Sequence, residues 1–144
     1  SKTANVLFSV ALNKRFASQG INSNAVMPGV IMTNLQRNMS QDEMKHFGMI
    51  DADGKPIPSE RFKSIEQGAA TTVWACLASE LEGKGGLYLE DCQISPEKSQ
   101  AELMGELGNG QSLPKGIVPY AKDEATADKL WELSEKSIRP KSSR

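Results

Sequence analysis

The amino-acid sequence predicts an α/β fold built on a parallel sheet. Two apolar segments of strand character alternate with three segments whose apolar residues recur at helical spacing. Strands separated by helices imply parallel pairing through crossover connections. Parallel sheets carry helices on both faces and usually contain several strands, so two strands cannot bury the apolar faces of three helices. We therefore expect the chain to be the later part of one α/β domain, whose other strands lie upstream.

The first helix is predicted over residues 2–18, and its cationic residues come late, as suits a helix C-terminus. Gly20 is predicted to end that helix. Residues 21–27 then form a short run that we interpret as a buried strand. The strand ends at Pro28-Gly29, because this dipeptide marks a turn and cannot extend a ladder of hydrogen bonds.

A long mixed excursion follows over residues 34–62, with turn signals at Asp53-Gly54 and two prolines. One or two short helices and a loop are expected there. The excursion is larger than an ordinary connection between elements.

The second half of the chain resumes the alternation of helix and strand. Ser64 and Gln67 have the spacing of a capping box and predict a helix over residues 66–81, whose small residues allow close approach to a sheet. The segment GLYLEDC, residues 86–92, predicts the second strand. A final helix is expected over residues 123–137, after a polar, glycine-containing stretch.

Composition excludes several classes of function. The 144 residues include 17 basic and 18 acidic side chains, which are scattered and give a net charge of -1, so no nucleic-acid partner is predicted. His46 is the only histidine and is expected on an exposed helix, so no histidine-based metal site is predicted. Cys76 and Cys92 are expected to be buried free thiols, which suits a reducing compartment. We expect a cytoplasmic location, with membrane association of a longer protein as the alternative.

Several motifs together resemble the short-chain dehydrogenase/reductase family. SKTAN at the start is similar to the end of the family's Tyr-x-x-Ser-Lys-x-Ala-Asn signature, and NAVMPGVIMT to its strand followed by Pro-Gly and a threonine. EQGAATTVWACLASELEGKGGLYLEDC and GIVPYAKDEATADKLWELSEK resemble the retinol dehydrogenase-like branch, which includes the WW-domain-containing oxidoreductase. The resemblance covers the chain nearly end to end. It implies the C-terminal half of a Rossmann-type doubly wound sheet, with the N-terminal nucleotide-binding half absent.

The resemblance implies a catalytic and cofactor-binding role for Lys2. In the family, a tyrosine one helical turn earlier is the general acid/base, and the lysine ammonium lowers its pKa from the ordinary ~10. The lysine also binds the ribose of NAD or NADP. That tyrosine would lie upstream of Ser1, and neither Tyr88 nor Tyr120 has a lysine four residues later. From position alone, Lys2 is a solvated side chain at a helix end.

Cofactor-binding roles for Pro28, Gly29, Val30 and Thr33 follow from the same resemblance. Backbone groups just after Pro-Gly hold the nicotinamide carboxamide in the family, and the threonine hydroxyl helps at the carboxamide or phosphate. Ligands bind at the carboxyl ends of strands in open α/β sheets, which suits this position. The alternative is a simple strand-to-loop turn, with Thr33 as a helix cap.

The excursion resembles the family's variable substrate lid. Its apolar wall would come from Leu35, Met39, Met44 and Phe47, although methionine fills core gaps just as readily. The complete protein would then interconvert an alcohol and a carbonyl on a hydrophobic small molecule, with a homodimer possible, and this chain alone would be inactive. The alternative is a non-catalytic, truncated relative that serves as a protein-interaction module.

Overall fold

A computed structural model describes residues 2–31, 33–57, 62–108 and 114–138. Its α-helices are α1 (Lys2–Phe16), α2 (Gln41–His46), α3 (Ile65–Leu77), α4 (Gln100–Gly108) and α5 (Glu124–Ile138). Its strands are β1 (Ala25–Met27), β2 (Val30–Ile31), β3 (Phe62–Lys63), β4 (Tyr88–Glu90) and β5 (Gln93–Ile94). The α/β class is therefore confirmed.

The main sheet has the order β1-β4-β5. β1 and β4 are parallel, as predicted, with Val26 opposite Leu89. β5 adds an antiparallel strand through a tight hairpin, in which Glu90 pairs with Gln93. A second, two-stranded parallel sheet joins β2 to β3, with Val30 opposite Phe62. Neither this small sheet nor β5 was predicted, and the result is a mixed sheet.

Helices lie on both faces of the main sheet. Val6 of α1 packs with Ala25 and Tyr88, the first residues of β1 and β4. Side chains alternate between the faces of a sheet, so Val26 and Leu89 point to the opposite face. There, α3 contacts both strands. The arrangement is that of a crossover unit whose sheet is covered on two sides.

The C-terminal helix α5 packs against α1. A buried cluster joins Leu7, Val10 and Ala11 to Ala127 of α5. Trp131 packs beside this cluster and stacks on Phe8, with ring centroids 5.5 Å apart. The α1 helix thus packs against both the sheet and α5. These contacts fix the direction of its axis relative to the strands.

Small residues bring α3 onto the sheet, as the sequence predicted. Gly68 and Thr71 are its buried residues, and the predicted capping box between Ser64 and Gln67 is present. Three larger apolar residues of α3, Ile65, Val73 and Leu77, are exposed, and Leu77 has 78% of its surface exposed. The described residues therefore leave an apolar helix face uncovered.

Gly68 offers a test of this close contact. A Cβ at Gly68 would lie 2.5 Å from Cγ1 of Ile31, whereas a Cβ at Gly105, also inside a helix, would meet nothing within 4 Å. Alanine in place of an exposed helical glycine stabilises by about 1 kcal/mol, and overpacking costs about 1–3 kcal/mol. We expect Gly105→Ala to be more stable than Gly68→Ala by about 2 kcal/mol in urea denaturation. Equal stabilities would show that α3 does not need a glycine at this contact.

Other sequence predictions need correction. Cys76 and Cys92 are free but exposed, so their predicted burial is wrong; Cys76 lies on the solvent side of α3 and Cys92 in the hairpin turn. The strand predicted over 21–27 is limited to β1, and the one over 86–92 to β4. The latter ends early because Asp91 and Cys92 have φ values of 48° and 55°, which no strand accommodates. α4 lies in the polar, glycine-containing stretch for which no element was predicted.

Candidate functional site

The first residue of α1 points toward the carboxyl ends of β1 and β4. Asn13, late in α1, accepts a hydrogen bond from the backbone N–H of Ser23 at 3.3 Å, ahead of β1. Val6, two turns earlier, is level with Tyr88 at the start of β4. Lys2 precedes Val6 by four residues and shares its helix face. The direction of α1 therefore carries the exposed Lys2 toward the strand ends where Pro28 and Gly29 follow β1.

The Pro28-Gly29 turn separates β1 from β2. Gly29 has a φ of 92°, in the left-handed region that favours glycine. A Cβ at Gly29 would lie 2.8 Å from both Cδ and Cε of Lys63. Val30 begins β2, whose pairing with β3 brings Lys63 to this turn. Glycine is thus favoured here by its backbone conformation, and a Cβ would also require the end of the Lys63 side chain to move. The sequence alone did not supply this second reason.

Thr33 lies on the exposed segment that follows β2. Its backbone N–H donates to Oε1 of Gln36 at 2.8 Å, and its hydroxyl donates to the same oxygen at 3.4 Å. Nε2 of Gln36 donates in turn to the carbonyl oxygen of Ile31 at 3.1 Å. The Gln36 side chain therefore braces the loop that carries Thr33. Thr33 also directly precedes a 3₁₀ turn, Asn34–Asn38, and its role as a cap stays a prediction.

The turn between β4 and β5 is a strained feature at the same edge of the sheet. Positive φ at both Asp91 and Cys92 defines a type I′ turn, which usually contains asparagine and glycine. The hydroxyl of Thr71 on α3 accepts the backbone N–H of Cys92 at 3.2 Å. Thr71 is fully buried. This hydrogen bond ties the turn to α3.

Asp91 is paired with two lysines. Its Oδ2 lies 2.6 Å from Nζ of Lys115, and its Oδ1 forms an ion pair with Lys63. Hydrogen bonds from Lys115 and Lys63 hold the pKa of Asp91 below its usual range, and Asp91 raises the pKa of Lys115. The preceding Glu90 is buried and accepts the hydroxyl of Ser95 at 2.6 Å. Two carboxylates and two lysines therefore balance one another at this corner.

The predicted lid is a short helix and a turn. α2 is capped by a reciprocal pair of hydrogen bonds between Ser40 and Glu43. Met39 and Met44 are half-buried, and Phe47 is exposed, with its ring edge-to-face with that of His46. His46 is itself exposed, as predicted. Leu35 lies in the 3₁₀ turn, and residues 58–61 of the excursion lie outside the described residues.

The chemistry available in the described residues is limited. Burial and the neighbouring Glu90 raise the pKa of Tyr88, away from the ionised form that a general base needs. No group of three or more histidine, cysteine or carboxylate side chains there is arranged to bind a metal ion. Within the same residues, no helix is long and apolar enough to cross a bilayer.

Curated relatives match this chain nearly end to end. It is 37% identical over 138 residues to a short-chain dehydrogenase/reductase of Penicillium roqueforti, covering 96% of this chain and 36% of that protein. The chain is homologous to short-chain dehydrogenases/reductases. A probable oxidoreductase of Streptomyces lividans is 41% identical over 132 residues, and the WW domain-containing oxidoreductase of Gallus gallus is 36% identical over 140 residues. No protein-family model matches the chain.

The matched segment is a minor part of each relative. It covers 92% of this chain but 41% of the Streptomyces protein, and 96% of this chain but 27% of the Gallus gallus protein. The short-chain dehydrogenase/reductase resemblance is therefore confirmed, and so is the prediction that this chain corresponds to only part of such a protein. Lys63, Gln36 and the ion-paired role of Asp91 were not predicted. Asp91 lay within a motif used for the resemblance, but nothing there indicated its partners.

Proposed function

We propose that this chain is the C-terminal half of an NAD- or NADP-dependent short-chain dehydrogenase/reductase that interconverts an alcohol and a carbonyl. The substrate would be a hydrophobic small molecule. Homology over nearly the whole chain to proteins named as oxidoreductases carries the proposal. The proposed protein is cytoplasmic, and it pairs as a homodimer or remains a monomer.

The proposed roles divide the nicotinamide end of the cofactor between two elements. Lys2 binds the ribose hydroxyls and, through its ammonium charge, favours the phenolate of a tyrosine one turn earlier in the helix. Backbone groups of Pro28, Gly29 and Val30 hold the nicotinamide carboxamide, with Thr33 beside them. The cofactor supplies the hydride, and the protein orients it.

The described residues support a proposal for only this end of a dinucleotide. Lys2 is exposed and directed toward the strand ends, and Gly29 keeps the turn compact. The sequence contains no glycine-rich strand-to-helix turn of the kind that binds a pyrophosphate. The adenosine and phosphates would therefore be held by a preceding half of the domain, which would also cover exposed apolar surface.

The test compares two polypeptides: the longer protein that continues upstream of Ser1, and the 144-residue chain alone. Each is incubated with NADH or NADPH and a panel of hydrophobic aldehydes and ketones, and loss of the reduced nicotinamide absorbance is followed. We expect turnover by the longer protein only. Turnover by the chain alone would contradict the need for the upstream half.

The second candidate is a non-catalytic interaction module. The uncovered apolar face of α3, where Ile65, Val73 and Leu77 are exposed, favours it. The same experiment distinguishes the two functions. A longer protein that folds but neither binds nor oxidises either nucleotide would support the interaction module and rule out the oxidoreductase.

A further inference from the structure

Lys63 occupies an unusual position between two turns. Its methylene groups lie over Gly29, at 2.8 Å from the point that a Cβ would occupy, and its ammonium forms an ion pair with Asp91. The first turn is the one proposed to hold nicotinamide, and the second is the strained tip of the β4–β5 hairpin. One side chain therefore links the carboxyl ends of β1 and β4.

The hairpin tip is held in a conformation that costs free energy. Left-handed φ values at two consecutive residues other than glycine are unfavourable, and they persist only where surrounding contacts hold them. Here, Thr71 binds the backbone of Cys92, while Lys115 and Lys63 bind the carboxylate of Asp91. The result of this conformation is a carboxylate fixed at the sheet edge, within reach of Lys63.

This cluster is not itself an anion-binding site. Lys63 and Lys115 are matched by Asp91 and by the buried Glu90, so the corner carries no surplus positive charge. Its electrostatics serve to hold Lys63 in place. The Lys63 methylenes then occupy the space beside Gly29, since they lie 2.8 Å from the point that a Cβ would occupy, and they restrict movement of the turn toward them.

We propose that Lys63, anchored by Asp91, is a positioning residue for the nicotinamide-holding turn. This inference rests on the proposed function, since it concerns the same turn. Lys63 does not touch the reacting atoms. It fixes the Pro28-Gly29 backbone in the conformation that receives the carboxamide, and displacement of such a positioning group reduces rate and affinity by amounts that range up to about 100-fold.

The test uses the longer protein and three substitutions at position 63. Lys63→Met keeps an unbranched side chain that reaches as far as Cε but loses the anchor, Lys63→Ala loses both, and Lys63→Arg keeps a long side chain with a cationic end. Lys122→Met is the matched control, because the side chain of Lys122 is 24% exposed, like that of Lys63, and is paired with Glu97 at 2.8 Å. Binding of dinucleotide is compared with binding of ADP-ribose, which lacks the nicotinamide.

We expect Lys63→Met and Lys63→Ala to weaken dinucleotide binding about tenfold or more, with ADP-ribose binding unchanged. Lys63→Arg and Lys122→Met should resemble the unsubstituted protein. Equal loss for both ligands, or no loss for either, would overturn the positioning role and leave the proposed function intact. An unsubstituted protein that binds no dinucleotide would overturn both proposals.

Discussion

Replacing Leu89 with alanine is expected to lower the free energy of unfolding by about 3 kcal/mol, within the ~2–5 kcal/mol typical of buried leucines. Leu89 is 0% exposed and lies in β4, the central strand of the main sheet. It is opposite Val26 on one side and Ile94 on the other. Its loss would leave a cavity where α3 covers the sheet. Urea denaturation of the chain, followed by circular dichroism, measures the change.

Leu133→Ala is the matched control for this prediction. Leu133 lies in α5 with 61% of its surface exposed, so the same atoms are removed without opening a cavity. Leucine and alanine have similar helix propensities, and the expected change is within about 0.5 kcal/mol. Similar losses for the two variants would show that β4 is not the centre of a cooperative core.

Long periodic segments were predictable from the sequence. The first and last predicted helices correspond to α1 and α5, because their apolar residues recur at helical spacing over many residues. The helix beginning after Ser64 was identified by its capping box, whose two reciprocal hydrogen bonds are present. Local chemistry was sufficient for the start of this helix, but the helix ends at Leu77 and not at residue 81 as predicted.

Two-residue strands were beyond prediction because their pairing is set by tertiary contacts. β2 and β3 are separated by a long excursion, and nothing local in Val30-Ile31 or Phe62-Lys63 indicates that they pair. The hairpin after β4 was also missed, because Asp91-Cys92 is an unusual occupant of a type I′ turn. Its conformation depends on Thr71, Lys63 and Lys115, which are distant in sequence.

The same limit applies to the candidate site. Lys2 and the Pro28-Gly29 turn were singled out by motif, and the direction of α1 carries Lys2 toward the strand ends. The contact of Lys63 with Gly29 depends on the register of β3 beside β2, which no spacing in the sequence specifies. Motifs therefore singled out the proposed ligand contacts. The residues that support those contacts, such as Lys63, could be found only from the fold.

The largest expected effect on activity is at Lys2. In the longer protein, Lys2→Met should lower kcat for alcohol oxidation by about 100-fold or more, the scale of a lost acid/base contribution. Without the nearby ammonium, the pKa of the proposed upstream tyrosine would return toward its ordinary ~10. The rising limb of the pH-rate profile should therefore move to higher pH, because ionisation of the phenol then requires more alkaline solution. Steady-state rates across a pH series measure both effects.

Lys129→Met is the control, because Lys129 is also an exposed lysine on a long helix, but lies on α5. Lys2 is exposed as well, so neither substitution should change the thermal unfolding midpoint beyond the small effect expected of a surface change. A Lys2→Met protein with lower activity but an unshifted pH profile would contradict the acid/base assistance and leave only ribose binding. Unchanged activity and an unchanged pH profile would show that Lys2 has no role in the site.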